Sequence, residues 1–207
     1  IVITGDVTGS QTASLNAVNG NINLKGDLKG TSDDATITAS DAANSDSQGN
    51  IVIDGDVTAG DELTVSTDHG TITAGTATDD SVLKAGDTAK VQTDTGAIKV
   101  LGQVTSPNGT TVATTTEGNI DVTGQVTTTD AGDVTVTTKS GAINLTSKET
   151  YGADAVKSGK DALVQTDTGK ITVTGDVTTE KAATIETKTS GDVDLTGDIN
   201  AGTDATV

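Results

Sequence analysis

The sequence lacks the side chains that usually fill a globular interior. It contains no Phe, Trp, Met or Cys and a single Tyr in 207 residues. Because large aromatic and aliphatic side chains fill ordinary interiors, this composition argues against a conventional core. The lack of Cys excludes disulfides and thiolate metal sites. Val, Ile, Leu and Ala remain, and they suit a narrow interior in which identical layers stack, since β-branched side chains pack well on a pleated surface.

Positive charge is also scarce. The formal net charge is −18, and all 12 basic residues are Lys. Binding of nucleic acid requires a basic patch that neutralises phosphates, so we expect no nucleic-acid partner. An acidic membrane surface would repel the chain, and no apolar run approaches the length of a membrane span. We therefore expect no membrane insertion in this segment.

The residues that are present form a repeat of about 22 residues. Each unit has a glycine, a short run of alternating apolar residues and then a Gly-Asp or Gly-Gln turn. The clearest copies occupy residues 49–57, 118–126 and 169–177. The units are aligned by the turn glycines Gly20, Gly49, Gly70, Gly96, Gly118, Gly141, Gly169 and Gly191.

Four apolar columns emerge from this alignment. Two columns lie two and four residues after each turn glycine, and a period of two is typical of a strand with one buried side. A third column follows the Gly-Asp or Gly-Gln corner, and a fourth lies five residues before the next glycine. Val112 and Ile185 lie one place earlier than the rest of the fourth column, which predicts either a β-bulge or a shifted turn in those units.

Three short strands per unit indicate an all-β fold. We expect a right-handed parallel β-helix, or β-solenoid, of triangular section with about nine coils of roughly 22 residues. An antiparallel sandwich would need hairpins, whereas equivalent strands here are a whole unit apart. Residues 1–207 are expected to form a single solenoid segment. Since the sequence starts at Ile1 without Met and ends at Val207 inside a repeat, we expect a fragment of a longer repeat protein.

The sequence also contains a longer repeat that spans several of these units. Residues 84–126 align without a gap on residues 157–199, at an offset of 73. Insertions near residues 29–48, 75–88 and 146–161 interrupt the regular units and are expected to form irregular loops outside the stack. Because binding residues concentrate on loops held by a rigid scaffold, these insertions are the expected place for a specific site.

The Gly-Asp corners stack carboxylates along the array, with Gln103 and Gln125 in the same place between the two groups. The corner carboxylates are Asp6, Asp27, Asp56, Asp176 and Asp198. One interpretation is capping of each turn by its Asp side chain. The alternative is a Ca²⁺ ion bridging adjacent coils, since hard cations favour carboxylate oxygens. Apart from Ca²⁺, no cofactor is expected.

The sequence offers no catalytic motif. There is no Arg, the lysines show no grouping with acids at equivalent positions, and His69 next to a turn glycine is expected to be exposed. Tyr151 could stack on a sugar ring or cover Ala153 and Val156. A Thr column that includes Thr67, Thr93, Thr138 and Thr166 has the parity of the buried valines, so it is expected to face inward. Asn108 and Asn144 begin glycosylation sequons.

With the units in register, the sequence resembles the shaft repeats of filamentous-haemagglutinin-like adhesins, large exoproteins of two-partner secretion. The resemblance rests on Gly-Asn-Ile-x-Val-x-Gly-x-Val at residues 49–57 and 118–126 and on degenerate copies throughout the chain. It implies a β-helical shaft, secretion in unfolded form through an outer-membrane pore, and presentation of a distal tip.

These observations predict an extracellular, non-catalytic filament or adhesin shaft of a bacterial surface or secreted protein. Its expected partners are other copies of itself, which would form fibres, or host and surface glycans or proteins. The alternative is a carbohydrate-active or carbohydrate-binding β-helix, which predicts non-repeating acidic and basic residues on one face. An ice or mineral binder predicts outward ladders of Thr or Asp instead.

Overall fold

A computed structural model describes residues 1–40 and 49–207 and contains strands throughout these two ranges. The chain winds as a parallel β-solenoid, and each strand pairs with its counterpart one coil away. The predicted fold class is confirmed, with nine coils in the described residues. Alternating apolar residues form the strands because one side of every strand faces the interior of the coil.

Three stacks of strands form the walls. Stack A has the first strand of each coil, β1 (Val2–Thr4), β4 (Ile22–Lys25), β7 (Ile51–Ile53), β10 (Ile72–Ala74), β17 (Ile143–Thr146), β20 (Ile171–Thr174) and β23 (Val193–Thr196). Stack B has β2 (Val7–Gly9), β5 (Leu28–Gly30), β8 (Val57–Ala59), β11 (Ser81–Lys84), β18 (Asp154–Ser158), β21 (Asp176–Thr179) and β24 (Ile199–Ala201). In coils 5 and 6 one long strand serves both stacks, β13 (Ile98–Ser106) and β15 (Ile120–Thr128).

Stack C is a separate nine-stranded sheet. Its members are β3 (Ala13–Val18), β6 (Ala35–Ser40), β9 (Leu63–His69), β12 (Thr88–Thr95), β14 (Gly109–Glu117), β16 (Asp133–Ser140), β19 (Ala162–Thr168), β22 (Ala183–Ser190) and β25 (Ala205–Thr206). The only helix in the described ranges is a 3₁₀ turn, η1, at Glu149–Tyr151. Equivalent strands therefore lie one coil apart in all three stacks, as the repeat predicts.

The core consists of the predicted aliphatic columns. Away from the two terminal coils these side chains are fully buried, as at Ile98, Val104 and Ile171 with 0% exposure each. The sequence alignment left the third column empty in coils 4 and 7, and the structure fills it with Leu83 and Val156. The hydrophobic layers thus continue without a gap through coils 4 and 7.

The inward Thr column is also confirmed. Thr67 and Thr138 are each 4% exposed, and Thr93 and Thr166 are each 0% exposed. The hydroxyl of Thr67 donates a hydrogen bond to the carbonyl of Gly49 at 2.6 Å. A buried hydroxyl requires a hydrogen-bond partner, and the carbonyl of a turn glycine provides one here. The Thr side chains can therefore face the interior at this corner.

Of the two alternatives for the units of Val112 and Ile185, the structure shows a bulge, at equivalent places in both. Between β12 and β14 the register shifts after Thr93, which leaves one extra residue before Glu117. Between β19 and β22 the same shift follows Thr166. These two sites lie 73 residues apart, so the longer period repeats a local backbone feature as well as side chains.

Corner glycines are required for two different reasons. Gly118 has a φ of 140°, a region that favours glycine. Gly70 has no such angle, but a Cβ there would lie 2.6 Å from the carbonyl oxygen of Gly49 in the preceding coil. The sequence analysis predicted a turn at both glycines, and the close approach of stacked coils explains the second one.

The predicted insertions are shorter than expected. Strands β6, β11 and β18 lie within the ranges assigned to irregular loops. The longest irregular segments that remain in these ranges are residues 31–34, 75–80 and 147–153, and residues 41–48 lie outside the described chain. The 75–80 and 147–153 loops both leave the stack at the corner between stacks A and B, in coils 4 and 7.

Candidate functional site

The predicted Asp corners form a ladder that links one coil to the next. Oδ1 of Asp6 accepts a hydrogen bond from the backbone N–H of Asp27 at 3.0 Å, and Asp27 accepts one from Asp56 at 2.9 Å. Asp56 accepts one from Val82 at 2.8 Å, and Asp176 accepts one from Asp198 at 2.9 Å. The carboxylates thus cap backbone donors of the neighbouring coil, which is the capping interpretation in an inter-coil form.

The Ca²⁺ alternative stays a prediction. One oxygen of each of Asp6, Asp27, Asp56 and Asp176 is engaged by a backbone donor. In residues 1–40 and 49–207 no group of three or more His, Cys, Asp or Glu side chains is arranged to hold a metal ion. A Ca²⁺ ion at these corners would therefore need carbonyl oxygens and water as additional ligands beside the Asp carboxylates.

The ladder is interrupted in the middle of the molecule. Val82, Gln103 and Gln125 replace the corner Asp in coils 4, 5 and 6. Nε2 of Gln103 donates a hydrogen bond to Oε1 of Gln125 at 2.8 Å, and Nε2 of Gln125 donates to the carbonyl of Asp154 at 3.3 Å. Gln125 is only 5% exposed although it lies on the outer side of the strand. Residues from another part of the chain therefore cover the side chain of Gln125.

The two loops at the A–B corner provide the cover. The 75–80 loop is held by its own hydrogen bonds, with the N–H of Asp79 donating to Oγ1 of Thr76 at 3.0 Å. Nζ of Lys148, in the 147–153 loop, lies 2.6 Å and 2.8 Å from the two carboxylate oxygens of Asp80. Each loop thus extends along the axis toward the other, and the Lys148–Asp80 pair closes an arch over coils 5 and 6.

Tyr151 completes this arch. Burial raises the pKa of Tyr151 to about 12, and the charge of Asp80 and a hydrogen bond from the phenol to that carboxylate act in the same direction. The sequence left open whether Tyr151 covers Ala153 and Val156. Tyr151 does not shield these two residues from solvent, because Ala153 is exposed and Val156 belongs to the inner column. Its ring instead borders the space beneath the arch.

That space is a cleft of about 540 Å³, within the range of about 300–1,000 Å³ typical of ligand sites. Its floor is the outer side of stack B over coils 4 to 7, and its lining comprises Val82, Lys84, Gln103, Thr105, Gln125, Thr127, Thr128, Thr129, Tyr151, Asp154 and Lys157. A hollow of about 320 Å³ shares Lys84, Thr105 and Thr129 with it. The cleft therefore continues around the corner toward stack C.

One row of the floor is defined by strand register. Lys84 pairs with Thr105, Thr105 with Thr127, and Thr127 with Lys157. With a strand spacing of about 4.8 Å, the two lysine backbones lie roughly 14 Å apart along the axis. Both lysines are exposed, whereas Thr105 and Thr127 are 7% and 4% exposed. The row therefore has a cation at each end and buried hydroxyl-bearing residues between them.

The cleft brings together lysines and acids that are not grouped at equivalent positions in the sequence. Lys84, Lys157 and Asp154 share its lining, and Lys148 is paired with Asp80 at its edge. This grouping is not apparent in the sequence because the residues come from two insertions. The offset of 73 residues was the available signal, since it places Lys157 at the position equivalent to Lys84.

The other candidates lie elsewhere. His69 is exposed at the end of β9, as predicted, and does not line the cleft. The side-chain amides of Asn108 and Asn144 donate hydrogen bonds to Asp87 and Asp121, both at 2.6 Å.

The outer side of stack C lacks the continuous Thr ladder expected of an ice or mineral binder in the strands described. An outward row containing Thr36, Thr64, Thr111 and Thr135 is interrupted by Lys90 and Leu163. No continuous Thr row of this kind runs the length of the stack in the strands described.

No helix within residues 1–40 and 49–207 has the length and apolar character to cross a membrane. The similarity searches add no relative to these observations. No family model, no curated protein and no solved structure matches the chain.

Proposed function

We propose that this chain is a shaft segment of an extracellular bacterial filament or adhesin, with a mechanical and non-catalytic role. The observation that supports the proposal most directly is the uninterrupted parallel pairing of all three stacks over nine coils. Eight intervals of about 4.8 Å give a rod of about 40 Å. A solenoid of this kind transmits load through neighbouring coils and holds its length without a globular domain.

The outer surface supports a role in an aqueous environment. The chain carries a formal charge of −18, which opposes nonspecific association and keeps a long rod soluble. The core consists of short aliphatic side chains stacked in register, so adjacent coils bury each other's layers. The resemblance to haemagglutinin-like shaft repeats supports the same proposal at the level of sequence pattern.

Localisation and shape form the test. Antibodies against residues 1–207 would be applied to intact and to permeabilised source cells, and the material they label would be imaged by cryo-electron microscopy. We expect labelling of intact cells and thin rods or fibres. Labelling only after permeabilisation, or a compact particle without a rod, would contradict the proposal.

A further inference from the structure

At the cleft beneath the arch, the regular solenoid departs from its own pattern in several ways at once. The acidic ladder stops, two insertions cover the floor, and the single Tyr of the chain borders it. Capping of adjacent coils does not require any of these changes, because the other coils achieve it with Asp. This coincidence indicates a ligand site.

We propose that this cleft binds a short acidic oligosaccharide, a chain of uronic-acid residues lying along the solenoid axis. The proposal goes beyond the shaft function, since a rod needs no such site.

Charge favours an anionic ligand. The lining contains Lys84, Lys157 and Asp154, which gives it a formal charge of +1 in a chain of −18. Neither lysine forms an ion pair within the part of the chain that the structure describes. Oδ1 of Asp154 already accepts a hydrogen bond from Oγ1 of Thr178 at 2.6 Å. The lysines are therefore available for carboxylates about three coils apart.

The floor favours a sugar over a peptide. Strands β13 and β15 are paired with neighbouring coils on both sides, so the cleft lies on a sheet face and offers no free edge to an added strand. Its lining has one aliphatic residue, Val82, and is otherwise composed of hydroxyl, amide and charged groups with one aromatic ring. Gln103 is only half-buried and can contact sugar hydroxyls through its amide, while the Tyr151 ring at the edge provides an apolar surface for one sugar ring.

The experiment uses trigalacturonate as the probe and the neutral galactotriose as its matched control. Because the chain has one Tyr and no Trp, intrinsic fluorescence reports on Tyr151 alone. Calorimetry supplies an independent affinity. We expect the acidic trisaccharide to bind and to change the fluorescence, and we expect the neutral one to bind at least tenfold more weakly.

The variants are Lys84→Gln, Lys157→Gln and the control Lys29→Gln, which lies on the same outer row in coil 2. Each cleft substitution should weaken binding about tenfold, and the control should leave affinity unchanged. All three positions are exposed, so folding is expected to survive. No binding of trigalacturonate, equal binding of galactotriose, or an equal effect of the control variant would overturn the proposal. None of these results depends on whether the chain is an extracellular shaft.

Discussion

The two copies of the long period, residues 84–126 and 157–199, share their inner columns and a bulge but differ in their surfaces. Both contain a bulge at the same place, and both place Ile and Val in the same inner columns. The corner residues differ, with Gln103 and Gln125 in the first copy and Asp176 and Asp198 in the second. Gln125 is 5% exposed beneath the arch, whereas Asp198 is exposed to solvent.

This difference separates the requirements of the fold from those of the cleft. The inner columns and corner glycines suffice to stack coils, since both copies stack although their corner residues differ. The Gln corner is compatible with the same stacking but replaces repulsive carboxylates with amides that hydrogen-bond to each other. In water, two carboxylates about 4.8 Å apart repel by roughly 0.9 kcal/mol, and the repulsion increases as solvent is excluded.

The largest expected effect tests whether the two copies share a core. Ile98→Ala and Ile171→Ala remove equivalent side chains that are each 0% exposed. Each should lower the free energy of unfolding in urea by about 2–5 kcal/mol, through lost apolar burial and a residual cavity. Thr172→Ala, on the outer side of β20, is the control and should have little effect. A markedly smaller loss for one of the two Ile variants would show that the copies do not contribute alike.

The second prediction exchanges the corners. The double variant Gln103→Asp and Gln125→Asp gives the first copy the corner residues of the second. We expect a loss of about 1–3 kcal/mol, because a hydrogen bond is replaced by like charges at a covered position. The reverse exchange, Asp176→Gln with Asp198→Gln, should cost no more than about 1 kcal/mol because Asp198 is exposed and Asp176 is only half-buried. Equal losses from both exchanges would mean that the arch does not change the environment of the corner.

The sequence predicted the stack better than the cleft, for a physical reason. Each coil buries the same side chains against its neighbours, so the columns of Ile, Val and Leu recur and can be aligned by their spacing. Leu83 and Val156 escaped this alignment because an insertion separates each from its corner. The Lys148–Asp80 pair joins residues 68 positions apart in two unrelated loops, and no periodicity encodes such a contact.

The third prediction separates capping from Ca²⁺ binding in the second copy. Asp176→Ala removes the acceptor for the N–H of Asp198, and we expect a loss of about 0.5–1 kcal/mol in urea unfolding. Asp176→Asn keeps an acceptor oxygen at this position, so it should be nearly as stable as the unaltered chain and more stable than Asp176→Ala. Thermal melting with and without EGTA is the companion measurement, and capping alone predicts no shift. A lower melting temperature in EGTA, together with an equal loss for Asn and Ala, would favour Ca²⁺ at the corners.

The smallest expected effect concerns the arch that distinguishes the first copy. Tyr151 has a pKa raised from 10.0 to about 12, mainly by burial and then by Asp80. Because the folded state holds the phenol proton more tightly, this contribution to stability is present below pH 10 and is lost as the pH rises toward about 12. Asp80→Asn removes the neighbouring charge and should lower the pKa part of the way toward 10.0, leaving the share due to burial.

Tyrosinate absorbance measures this titration at one site, since the chain has a single Tyr and no Trp. Asp79→Asn in the same loop is the matched control, because Asp79 is exposed and Asp80 is the loop carboxylate that raises the Tyr151 pKa. We expect the control to titrate like the unaltered chain. An unchanged midpoint in Asp80→Asn would mean that Tyr151 does not contact this carboxylate, and the two loops would then be joined through Lys148 alone. The cleft would in that case lack a fixed aromatic edge, and the first copy would differ from the second only in its corner residues and the Lys148 contact.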